Sequence, residues 1–228
     1  LKVLVALSGG IDSVYLVYKL LQEQHTVTGM YIALDNNSTK VAYETEALKP
    51  IVQFFEDNFP SSFNYWGVGS SFAIHRLSGN SYAQPPIWLL GLRFASSPFD
   101  QVALGYVMND DAISYLDELQ NLWGSLTPFF DNTPQLVFPL AKSKKEKFIH
   151  LLPKTLYDAC VFCENPQEGS ICGECTPCLR RKHLELTNKI SSTYFKVISS
   201  SKEKEETMNT LADSSTNTMD KRPRKDIA

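Results

Sequence analysis

From the N-terminus to Leu152, short unbroken apolar runs alternate with stretches whose apolar residues fall three and four positions apart. The first run, Lys2 to Leu7 (KVLVAL), is rich in Val and Leu and predicts a strand buried on both faces of a parallel sheet. Val14, Leu16, Val17, Leu20 and Leu21 then recur at helical spacing. His25 to Leu34 predicts a second strand, closed by the turn residues Asp35, Asn36, Asn37 and Ser38. Apolar positions at Val41, Ala42, Leu48, Ile51, Val52, Phe54 and Phe55 predict a helix over 39–59, with Ser38 as N-cap and Pro50 as a kink or a break. Ser62 to Val68 predicts a third strand, Ile87 to Ala95 a buried helix behind Pro85 and Pro86, and Gln101 to Val107 a fourth strand. A helix over 112–123, a fifth strand from Gln135 to Leu140 and a helix ending at Leu152 complete the pattern. Ser143 and Glu146 have the spacing of a capping box for that last helix.

Alternating strands and helices imply right-handed crossovers, and hence an α/β fold on a doubly wound parallel sheet, Rossmann-like in its layering. In such sheets ligands lie beyond the carboxyl ends of the strands. That rule brings Ser8 to Asp12, Asp35 with Asn36, and Gly67 to Ser71 to one rim. Asp110 and Asp111, after the fourth strand, either join the rim or cap the next helix. Of the lysines that follow the fifth strand, Lys142 or Lys144 is best placed to reach a phosphate.

The turn after the first strand carries the chemistry. In Ser8-Gly9-Gly10-Ile11-Asp12-Ser13 the glycines remove Cβ atoms where the chain must bend and approach a ligand. The unpaired N–H groups of such a turn, at the positive end of a helix dipole, form a site for phosphate. A Walker loop would need Lys followed by Ser or Thr, and a dinucleotide fingerprint a third Gly; neither is here.

With 228 residues and 43% apolar content the chain can bury one substantial core. Its net charge of −3 offers nucleic acid no attraction over the whole surface, which leaves local patches as the only means of such binding. Without an apolar run of membrane-spanning length, and with a core strand at the N-terminus, a cytosolic location is expected. All five cysteines lie between Cys160 and Cys178, and paired thiols two residues apart can aim at one ion. Four thiolates close a tetrahedral Zn²⁺ site with no open position, so its role is structural. Spacing alone also allows Cys160 to pair with Cys163. From Ser199 onward the chain is polar and charged, and a disordered tail over 199–228 is expected.

The SGGxDS loop closely resembles that of the ATP pyrophosphatases, which cleave ATP between its α and β phosphates and pass AMP to an oxygen. The resemblance implies that Ser8, Gly9, Gly10, Asp12 and Ser13 hold pyrophosphate, with Asp12 fixing the loop or holding Mg²⁺. Taken with Cys163, Cys172, Cys175 and Cys178, the following Leu-Arg-Arg, and Phe138-Pro139-Leu140 with Ser143, Lys144 and Glu146, the chain resembles the 7-cyano-7-deazaguanine synthase family. That resemblance implies an adenine nucleotide alpha hydrolase-like domain over 1–155, a zinc segment and helix over 156–198, and Cys160 as the spare thiol. It implies an AMP-forming carbon–nitrogen ligase, cytoplasmic and homodimeric, which activates a small-molecule carboxylate with ATP and converts it with ammonia to an amide and then a nitrile. The corresponding site would contain Asp12, Ser13 and Lys144 as catalytic residues, and Asp35 beside the loop on the nucleotide. Gln84-Pro85-Pro86-Ile87 and Asn109 to Ser114 depart from the family's substrate-reading phrases, so another acid, on a nucleic acid or a protein, also fits. Two further readings are a tRNA-thiolating or lysidine-type enzyme of the same superfamily, and a zinc-bearing adaptor that binds ATP without chemistry.

Overall fold

The computed structural model describes residues 1–34, 38–72, 84–167 and 170–186. Its centre is β1 (Lys2–Ala6), the middle strand of an all-parallel sheet of order β3-β2-β1-β4-β5. On one side β1 pairs with β2 (Thr26–Leu34), Val3 opposite Val27, and beyond it lies β3 (Phe63–Phe72). On the other side Val3 lies opposite Gln101 of β4 (Gln101–Ala103), which pairs in turn with β5 (Gln135–Val137). The chain winds outward from β1 through β2 to β3, then returns to place β4 on β1's free edge. The expected doubly wound parallel sheet is present, and its order reverses at β1.

Alternation along β1 sorts the two layers. Val3 and Val5 face a core shared with α1 (Ile11–Gln22), α2 (Ser38–Asn58), α5 (Phe148–Leu151) and α6 (Lys154–Ala159), through side chains such as Val14, Ile51, Phe148 and Leu156. Leu4 faces a second core with α3 (Gln84–Ala95) and α4 (Leu116–Ser125), through Leu89, Leu92, Leu119 and Trp123. Each such Leu or Val, fully buried, contributes roughly 1.5–3 kcal/mol. α2 continues through Pro50.

Three local expectations are corrected. β4 and β5 stop short of Val107 and Leu140, because Pro139 has no N–H for a ladder and the Met108 N–H donates instead to the Ser143 carbonyl at 3.0 Å. The capping box does not form: Lys144 stands at the cap position without a side-chain bond, ahead of a tight turn over Lys145–Lys147 and then α5. The helix over 112–123 begins as a 3₁₀ turn over Asp111–Tyr115 and becomes α-helical only at Leu116.

Arg93, in the last turn of α3, is 1% exposed. Its guanidinium donates to Ser96 Oγ and Thr133 Oγ1, both at 3.1 Å, and lies 4.3 Å from the Phe130 ring centre and 5.1 Å from that of Trp123. Burial lowers its pKa, while the negative helix end and the two ring faces offset the cost of the charge.

The chain divides into two compact units, Leu1–Leu179 and Arg180–Ala228. Among the described residues no helix is long and apolar enough to cross a membrane. The segment expected to form a tail lies outside the described residues.

Candidate active site

β1 delivers the loop. The Leu7 N–H still donates to Met30 O at 2.9 Å; the chain then leaves the sheet through Ser8, Gly9 and Gly10 and enters α1. Gly9 has φ +80°, a left-handed conformation that strains any L side chain, although a Cβ there would meet nothing closer than 3.6 Å. The loop folds on itself through two hydroxyls. Ser13 Oγ donates to Gly10 O at 2.9 Å and accepts from the Ser8 N–H at 3.3 Å, while the Gly10 N–H reaches Ser8 Oγ at 3.4 Å. The last two bonds are longer than the usual 2.9–3.0 Å or so for N–H···O. Charge-assisted bonds are roughly twice as strong as neutral ones, so an anion readily replaces these partners.

The end of β4 closes against this loop. A Cβ on Gly105 would stand 3.1 Å from Asp12 backbone atoms, tight enough that a side chain there would make the start of α1 give by a few tenths of an ångström. Ser8, Gly10, Asp12 and Ser13 line a cavity together with Met30, Ile32, Trp88, Leu104, Tyr106 and Asp110. The lining combines the polar loop and the Asp110 carboxylate with apolar and aromatic side chains, which suits a phosphorylated ligand with a flat ring. Burial and the neighbouring Asp110 carboxylate push the Tyr106 phenol well above its usual range; its hydroxyl has no hydrogen-bond partner among the described residues.

Among the described residues, the cation at this site is Lys145. Its Nζ lies 2.6 Å from Asp12 Oδ2 and 4.0 Å from Asp110 Oδ1, while Asp110 Oδ2 accepts the Val107 N–H at 2.9 Å. Phe148, three residues on, is buried and stacks on Tyr15 of α1 at 4.1 Å between ring centres, which holds the turn carrying Lys145 over the loop. Lys144, the expected lysine, is exposed, as are Lys142 and Asp111. Ser8, Gly10, Asp12 and Ser13 are therefore together at the cavity and Asp110 joins them. Asp35 lies outside the described residues.

The sulfur atoms of Cys163, Cys172, Cys175 and Cys178 all lie within 4.8 Å of one another. Cys163 and Cys172 are 3.5 Å apart, the Cys172 N–H donates to Cys163 Sγ at 3.3 Å, and the Cys175 N–H to Cys172 Sγ at 3.4 Å. Backbone N–H groups of Glu174 and Cys175 lower the Cys172 pKa to about 6; burial raises that of Cys178 to about 12. Tetrahedral metal–sulfur bonds of about 2.3 Å place sulfurs roughly 3.8 Å apart, so the donor set fits one metal ion with little movement. Cys160 stands apart, buried, with its thiol on Leu156 O at 3.2 Å. Between Cys160 and Cys163, the Val161 N–H donates to Gly9 O at 2.9 Å, and Val161 forms a parallel bridge with Gly10.

Residues 1–52, which span β1, α1, β2 and the first part of α2, match the family model described as the tRNA methyl transferase HUP domain. No curated protein matches the chain. Among solved structures it is similar to a predicted subunit of tRNA methyltransferase from Methanocaldococcus jannaschii, at 16% identity and a TM-score of 0.42, over 66% of this chain and 73% of that one. The first β-α-β unit thus has the Rossmann-like fold of a HUP-type domain.

Proposed function

We propose that this chain is an adenylating enzyme: it cleaves ATP between the α and β phosphates, passes AMP to an oxygen of an acceptor and releases pyrophosphate. The SGGxDS loop carries the reading, seated at the sheet's central strand with two long, replaceable N–H bonds and Lys145 at its lip. In this reading Ser8, Gly10 and Ser13 donate to the departing pyrophosphate. Lys145 turns from Asp12 to the phosphates, and the freed Asp12 carboxylate, with Asp110 near, is placed to hold Mg²⁺. When bound, that ion offsets charge developing on the phosphate oxygens. The apolar lining residues, Trp88 among them, receive the adenine. The four-cysteine cluster takes Zn²⁺ as a structural ion, which suits a reducing cytoplasm.

Adenylation makes a poor leaving group into a good one, so a nitrogen or sulfur nucleophile can finish the reaction without a protein nucleophile. The likeness of residues 1–52 to a tRNA methyl transferase HUP domain favours a tRNA base oxygen as acceptor, in a thiolation or lysidine-type modification. The cysteine spacing and the Phe138-Pro139-Leu140 phrase favour a second acceptor, a 7-carboxy-7-deazaguanine-like acid converted by ammonia to amide and nitrile by a homodimer.

One experiment separates these readings. Zinc-loaded protein is incubated with Mg-ATP and either unmodified tRNA with sulfide or lysine, or 7-carboxy-7-deazaguanine with ammonium, and the nucleotides and product masses are read. AMP and pyrophosphate that depend on tRNA support the first acceptor; AMP with a nitrile mass supports the second. ATP binding without AMP in any mixture identifies an adaptor, and ADP as the nucleotide product overturns the adenylation reading.

A further inference from the structure

The phosphate loop receives a hydrogen bond from the metal-binding segment. Val161 N–H donates to Gly9 O at 2.9 Å, Val161 and Gly10 form a parallel bridge, and a Cβ on Gly9 would lie 3.7 Å from Val161 Cγ2. A trans peptide points its C=O and N–H in opposite directions. Fixing the Gly9 carbonyl on Val161 therefore fixes the Gly10 N–H toward Ser8 Oγ and the cavity, where the loop must donate to an anion. Val161 is itself held on both sides. One residue before it, the buried Cys160 thiol is bonded to Leu156 O of α6; two residues after it, Cys163 is part of the four-sulfur cluster.

We propose that the Val161 main chain is a positioning element of the phosphate loop, through which a metal ion on Cys163, Cys172, Cys175 and Cys178 and a nucleotide on the loop bind cooperatively. Closing the four thiolates around an ion fixes Cys163, and with it the amide that orients the Gly9–Gly10 peptide. A nucleotide that needs that peptide in place in turn favours the closed cluster. The two effects are equal by linkage. A single backbone hydrogen bond contributes about 0.5–1.5 kcal/mol net, which at 1.4 kcal/mol per factor of ten is a coupling of about 2- to 12-fold. The inference rests on the adenylation reading only in placing a nucleotide on the loop.

The test measures binding. The dissociation constant of α,β-methylene-ATP is measured for zinc-loaded wild type, Val161→Ala and Val161→Pro, and zinc affinity is measured by competition with a chromogenic chelator, with and without the analogue. Val161→Pro removes the N–H; Val161→Ala keeps it. The expected result is that saturating analogue tightens zinc binding by about 2- to 12-fold in the wild type. Val161→Pro retains one zinc, binds the analogue more weakly by the same factor and loses the linkage, and Val161→Ala behaves as wild type. Should Val161→Pro not fold, the wild-type competition decides by itself. Zinc affinity unchanged by bound analogue overturns this inference alone, whereas no nucleotide binding by zinc-loaded protein overturns the adenylation reading and this one with it.

Discussion

Replacing Lys145 by Met removes the cation from a loop that has two carboxylates beside it and keeps most of the side chain's apolar length. The Lys145–Asp12 pair has a separation of 2.6 Å and side-chain exposures of 16% and 22%. Exposed ion pairs contribute about 0–1 kcal/mol, and breaking a fully buried one costs about 3–5 kcal/mol. A pair one-fifth exposed falls between, at about 1–3 kcal/mol, with Asp110 adding to the loss because Lys145 also faces it at 4.0 Å. For a unit of this size each kcal/mol lowers the melting temperature by about 2–4 °C, so a fall on the order of 5 °C is expected by circular dichroism. Catalysis should suffer more. A preorganised donor aimed at developing charge is worth about 10²–10³ in rate, so pyrophosphate release, followed by a coupled phosphate assay, should drop by about that factor. Lys144→Met, one residue away and exposed, should match wild type in both assays. Equal pyrophosphate release by the two variants would refute the placement of the cation.

Gly9→Ala forces a methyl onto a φ of +80° and should destabilise the loop by about 1–2 kcal/mol, read as a lower melting temperature even without nucleotide. Gly105→Ala meets Asp12 backbone rather than a flexible side chain, so the start of α1 must shift; about tenfold weaker nucleotide binding by calorimetry is expected, an effect of about 1.4 kcal/mol. Cys160→Ala should keep one metal per chain by atomic absorption, while Cys175→Ala loses it and with it much of the thermal stability. Tyr106→Phe deletes a buried hydroxyl that has no hydrogen-bond partner among the described residues, so its melting temperature should be no lower than wild type.

The sequence made the centre of the fold legible and its right half less so. In β1 and β2, pairing and burial coincide, so the Val- and Leu-rich runs mark strands directly. Past Leu104, whose N–H makes the last bond to β5, they separate: Val107 and Leu140 are as buried as strand residues, yet the Met108 N–H donates across to Ser143 O. An apolar run reports burial, and burial does not distinguish a ladder from a packed turn. The choice between Lys144 and Lys145 depended on whether a capping box or a tight turn starts that segment, which the stacking of Phe148 on Tyr15 decides across the fold. Spacing likewise left Cys160 open, and its separation from the cluster follows from the fold of α6. Arg93 gave no signal, because its hydroxyl and ring partners are either ordinary local residues or lie some thirty to forty positions away.

The amide that braces Gly9 comes from Val161, well after the last of the described strands has ended at Val137. During synthesis the five described strands therefore leave the ribosome before the loop ahead of them acquires its support. A fragment cut just ahead of Cys160 would hold all five described strands and the complete glycine turn yet lack that support. On the adenylation reading proposed above, a growing chain would complete its ATP site only once its late cysteine segment has emerged.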